Sequence, residues 1–104
     1  MKATYGFRAT MTARPGMGDE LVDLLLRATT DGPAAHDACL VFLVGRSASN
    51  GDVVHVTEGW TTQAAHAANF ASDHVKAFTA RIALLVDGDP QYQDEVPAGG
   101  RFRM

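Results

Sequence analysis

Cysteine is nearly absent: Cys39 is the only one in 104 residues. One thiol cannot close an internal disulfide or supply the paired ligands of a cysteine-based zinc site, and it suits a reducing compartment. Basic side chains are in the minority, nine Lys and Arg against twelve Asp and Glu, for a formal charge of −3. Nucleic-acid binding depends on a concentrated basic surface, so no nucleic-acid partner is expected. No apolar run reaches the ~18 residues of a membrane span. The first residues, Met1 to Gly6, lack the apolar stretch of a secretory signal. The expectation is a cytoplasmic chain with no membrane partner. Repeats, low-complexity segments and linkers are missing as well. The chain is 46% hydrophobic and 20% charged, ordinary usage for one globular domain over 1–104. Its core is expected over 5–96, with a loose tail over 97–104.

The apolar pattern alternates between two periods. Tyr5, Phe7, Ala9 and Met11 occupy every second position, as on one face of a strand. The breaker cluster Arg14–Gly18 follows; its glycines lack the strand–helix context of a phosphate-binding loop. Asp19 and Glu20 then open a helix whose stripe is Leu21, Leu24, Leu25 and Ala28. Cys39–Val44 is apolar on both faces and predicts a buried strand, and Val53–Trp60 a second. Between them Asn50-Gly51 is a hairpin signal. Thr61-Thr62 offers an N-cap to one long helix from about Gln63 to Val86, with Ala67, Ala71, Val75, Phe78, Ile82 and Leu85 on one face. Asp87–Pro90 ends it, and Tyr92–Val96 alternates as a last strand. The order β-α-β-β-α-β predicts an α+β, ferredoxin-like fold with an antiparallel sheet. Both helices then lie on one side. The bare face of so apolar a sheet predicts a homodimer packed through it, because soluble monomers rarely expose large apolar patches.

Candidate chemistry gathers on the second helix. His66, Phe70, His74 and Phe78 recur every four residues and trace a slowly winding line beside the core stripe. His66 and His74 can therefore face a pocket between helix and sheet, or sit half-exposed on the helix. They are separated by ~12 Å of helix at 1.5 Å per residue, too far to share one metal ion, so no metal site on this helix is expected. Trp60 offers a flat surface for an aromatic ligand, or plugs the core. Glu58 shares its face and either orients an imidazole or rests at the sheet rim. Asn69 can hold a carbonyl oxygen, or lie at the surface. His55 is a strand histidine among valines and His36 a loop residue. Cys39, with apolar neighbours, is expected to be a small buried hydrophobe.

Pro15-Gly16-x-x-Asp19-Glu20-Leu21, the hairpin ending Glu58-Gly59-Trp60 and the alanine-rich helix with His74-Val75-Lys76-Ala77-Phe78 resemble the antibiotic biosynthesis monooxygenase family. The similarity runs from about Tyr5 to Val96. It implies a homodimeric α/β barrel of two facing sheets, with a pocket inside each protomer. It also implies oxidation of hydroquinones or anthrone-type polyketides without a cofactor. By this resemblance Trp60 matches the family's hairpin tryptophan and His74 its helix histidine. Asn69 stands where many members carry a histidine, with His66 one turn earlier. Thr79, near the axial histidine of haem-degrading relatives, cannot ligate iron in its place.

The expected activity is monooxygenation of a small aromatic substrate by O2. His66 or His74 would be the base, since imidazole titrates near neutrality. Asn69 would donate to the developing oxyanion, and Trp60, Phe70, Phe78, His55 and Arg81 would form the substrate site. The alternatives are an isomerase of a small keto-sugar-like substrate and a non-catalytic binding or pathway-accessory dimer.

Overall fold

The computed structural model describes residues 2–101; positions 102–104 of the expected tail lie outside that range. Strand β1 (Tyr5–Thr12) leads through helix α1 (Gly18–Arg27) to β2 (Cys39–Arg46) and β3 (Val53–Trp60). Helices α2 (Gln63–Phe70) and α3 (Asp73–Ala83) precede the final strand β4 (Gln91–Glu95). The sheet order is β2-β3-β1-β4, antiparallel throughout. This is the expected ferredoxin-like α+β topology. Within the chain the sheet is open, with β2 and β4 as its edges, and does not close into a barrel.

Alternation along β1 and β3 sends Ala9, Met11, Val54 and Val56 into a core with Leu21 and Leu25 of α1 and with Val86. A second cluster joins Leu24 and Ala28 to Phe78 of α3. Among the described residues no helix covers the opposite face. There Thr10 Oγ1 lies 3.1 Å from His55 Nδ1 and Arg8 lies 3.8 Å from Glu95. Beside them β2 presents half-buried Val41 and Leu43.

Three expectations need correction. The long second helix is two helices, because Ser72 leaves helical geometry (ψ 150) and caps α3 by accepting from Val75 N. The same hydroxyl donates to Asn69 O at 2.7 Å, closing α2. The break also changes which residues face inward. Ala67 and Ala71 are exposed, and α2 turns Ala65, His66 and Asn69 toward the sheet. Finally, β2 is an edge strand with half-buried side chains, Cys39 included, rather than a fully buried one. Burial raises the Cys39 thiol to about 11, the nearby Glu58 carboxylate adding to the effect.

The hairpin forms as expected, but Asn50 and Gly51 do not adopt positive φ. Asn50 acts through its side chain, accepting from Asp52 N at 3.0 Å. Asp52 in turn accepts from Gly16 N (3.1 Å) and Gly18 N (3.0 Å). The glycine cluster thus receives a carboxylate from this chain at the start of α1, where free N–H groups and the helix dipole favour negative charge.

Candidate active site

Between the sheet and α2–α3 lies a cavity of about 280 Å³. Ligand pockets typically measure ~300–1,000 Å³, so it suits one small ligand. Phe7, Phe42, Trp60, Phe70, Phe78 and Tyr92 supply its aromatic wall. Strand register explains the assembly. Phe7 of β1 pairs with Glu58 on one side and Asp94 on the other, so the three stand in a row on the helix-covered face.

His66 sits amid aromatic rings. Its centroid lies 5.1 Å from Tyr5, 4.9 Å from Phe7, 5.3 Å from Trp60 and 5.9 Å from Phe70. Glu58 Oε1 accepts from Trp60 Nε1 at 2.8 Å and lies 4.0 Å from His66 Nε2. Such a separation is too long for a hydrogen bond in the resting site. Burial lowers the His66 pKa, against an opposing pull from Asp94. Burial likewise raises that of Glu58, despite the Trp60 hydrogen bond that favours its charged form. Tyr5 donates to Asp94 Oδ1 at 2.7 Å. Burial first, then that bond and the charges of Asp94 and Glu58, push the Tyr5 hydroxyl up to about 12.

The structure brings His66, Asn69, Trp60, Phe70 and Phe78 to one cavity. Asn69 Nδ2 donates to Pro33 O at 2.8 Å, which leaves one of its hydrogens for another acceptor. His74, His55 and Arg81 are placed elsewhere. The His74 ring is outside the cavity and hydrogen-bonds through Nε2 to Asp31 O in the loop after α1. His55 faces away from the helices with Thr10. Arg81 lines a shallow groove between α1 and α3, with Glu20 and Asp23. Sequence reasoning named Glu58 without a place in the substrate site and passed over the Tyr5–Asp94 pair. Glu58 had a readable signal, as the one acid in the inward row Val54, Val56, Glu58, Trp60. Among the described residues no three His, Cys, Asp or Glu side chains converge as metal ligands.

The α+β domain thus places a buried carboxyl–imidazole pair inside an aromatic-walled cavity. Comparison with known families places it more closely. The profile of the antibiotic biosynthesis monooxygenases matches residues 4–81, and the chain belongs to that family. Among solved structures, a candidate antibiotic biosynthesis monooxygenase from Chloroflexus aurantiacus is 26% identical, with 96% of this chain and 98% of that one covered and a TM-score of 0.81. Another, from Caulobacter crescentus, is 22% identical, with coverages of 94% and 92% and a TM-score of 0.75. The protein Rv0793 from Mycobacterium tuberculosis shares the fold at 20% identity, coverages of 94% and 98% and a TM-score of 0.79. No curated protein matches the chain. Family and neighbours together support a monooxygenase-like role. No helix among the described residues is long and apolar enough to cross a membrane.

Proposed function

We propose that this chain is a cofactor-independent monooxygenase of a small electron-rich aromatic, of the hydroquinone or anthrone type, with His66 as its base. The observation that carries this reading is the Glu58–His66 pair, 4.0 Å apart inside an aromatic cavity. Oxygen reacts slowly with closed-shell molecules, so without a cofactor the substrate itself must become the electron donor. Neutral His66, kept so by burial, takes a proton from the methylene carbon of an anthrone. The resulting carbanion passes an electron to O2, and radical and superoxide combine to form a C–O bond. The peroxide anion recovers the proton from the imidazolium. His66 then removes the second proton from that carbon as the O–O bond breaks, leaving a carbonyl and water. Carbon loses four electrons and O2 gains four. Glu58 stabilises the transient imidazolium once the site tightens around its ligand, as catalytic contacts that are long at rest often do. Asn69 is the proposed donor to the developing oxyanion, and Trp60, Phe70 and Phe78 hold the ring.

Oxygen uptake by chelator-treated protein with hydroquinones and anthrones tests the reading. His66→Ala is expected to lower turnover by ~10²–10⁴-fold, the usual contribution of a general base. Uptake that survives the substitution unchanged removes His66 from the role. Turnover of a keto substrate without oxygen would replace the monooxygenase by an isomerase. We also propose a homodimer through the uncovered sheet face, supported by partly exposed Val41 and Leu43 on an edge strand. Sedimentation at micromolar concentration as a single 11.1 kDa species would overturn it.

A further inference from the structure

We infer that the cavity is built to take an uncharged aromatic ligand and to reject one bearing a carboxylate, sulfonate or phosphate. The inference deepens the proposed function by naming the charge class of its substrate, and it rests on reading the cavity as the binding site.

Among the described residues lining the cavity there is no Lys or Arg. Its ionisable side chains are Glu58, His66, Asp89 and Tyr92. Asp94 is outside the lining, on the helix-covered face of β4, where it accepts from the Tyr5 hydroxyl. Arg81 belongs to the groove between α1 and α3, and Arg46 is committed to Asp19 and Gly51 O. Arg8 lies on the opposite sheet face with Glu95. A ligand in the cavity thus meets the carboxyl groups of Glu58 and Asp89, with Asp94 nearby on the same face of the sheet but outside the lining. Among the described residues no Lys or Arg of the lining answers them, and burial disfavours the charged form of the His66 imidazole.

Two penalties act on an anionic ligand. The aromatic wall strips its water without returning hydrogen bonds, a cost borne by any charged group. The carboxylates then repel it, in surroundings less polar than water where charge interactions are felt more strongly. A carboxylated ligand normally recovers such costs from a guanidinium or a helix N-terminus. The start of α1, the one site of that kind tied to glycines, already carries Asp52. An uncharged phenol or ketone avoids both penalties, and Asn69 retains a hydrogen for its oxygen.

Calorimetric titration without oxygen tests this with a naphthol and a hydroxynaphthoate of the same ring system, which differ by one carboxylate. The naphthol is expected to bind about tenfold or more tightly than the hydroxynaphthoate at low salt. The gap should shrink as added salt shortens the screening length. Asp89→Asn, a change on an exposed loop, should narrow the ratio by about two- to fivefold by removing one repulsive charge. Asp89→Lys should narrow it further. Equal affinities, tighter binding of the anion, or a ratio indifferent to both salt and Asp89 would overturn the inference. So would failure of the naphthol to bind at all. Because the titration needs no turnover, discrimination without oxygen uptake would sink the monooxygenase reading and leave the charge selection standing.

Discussion

Glu58 and His66 face each other at 4.0 Å with only 12% and 13% of their side chains exposed. Burial opposes the charge of each, raising the acid and lowering the base. The two pKa values are pushed toward each other. Perturbation of this kind is characteristic of functional sites.

The pH dependence follows. With neutral His66 as the proposed base, the acid limb of kcat/KM should lie below the ordinary imidazole value of 6.5. Stability moves with it. The depressed His66 value contributes stability that is present above 6.5 and lost as pH falls through its folded value. The raised Glu58 value contributes stability that is present below 4.5 and lost as pH rises through its folded value. Melting temperature against pH should show His66→Phe gaining on the wild type toward acid and Glu58→Gln gaining toward alkali. Parallel curves for both variants would contradict the burial argument.

His74 and His66 should separate cleanly. His74 ties the loop after α1 through Asp31 O, and Asn69 ties the same loop through Pro33 O. His74→Ala should cost about 1 kcal/mol, a typical net hydrogen bond, and speed amide exchange around Asp31–Ala35. Its loss of kcat should be far smaller than that of His66→Ala. Equal losses would return His74 to the chemistry.

Asp52 caps α1 from across the hairpin. Asp52→Ala should destabilise the fold by about 1–2 kcal/mol in urea unfolding, the scale of a lost N-cap. Gly18→Ala should cost about 1–3 kcal/mol, as overpacking does. Its added Cβ would press on Gly51 O and stand 2.8 Å from Asp52 Oδ1. A neutral result at both positions would mean that α1 does not depend on this contact.

Ser72 joins the two helices that wall the cavity. Ser72→Ala removes the α3 cap and the bond to Asn69 O. About 1 kcal/mol of stability should go with the cap, and KM should rise more than kcat falls. An unchanged KM would show that the break holds without its hydroxyl.

Local pattern carried most of the fold. Period-two alternation in β1 and β3 and the Leu21–Leu24–Leu25–Ala28 stripe describe elements that bury one face, and burial is a property of nearby residues. The break at Ser72 was not legible in the same way, because Ala-rich sequence on both sides supports an unbroken helix. A serine there becomes a stop only when its hydroxyl caps the next turn. That misreading placed Ala67 and Ala71 inside and grouped His74 with His66.

By itself the sequence determined the four strands and the first helix, the antiparallel hairpin, the family and the inward position of Trp60. The elements follow from periodicity and from neighbours a few residues apart, the family from the resemblance of its motifs. The tertiary structure alone decided which histidine meets a carboxylate. Glu58, His66, Tyr5 and Asp94 come from four different elements, and only strand register and the turn at Ser72 bring them together. Distance and burial set their proton affinities, and neither is a property of residues along the chain.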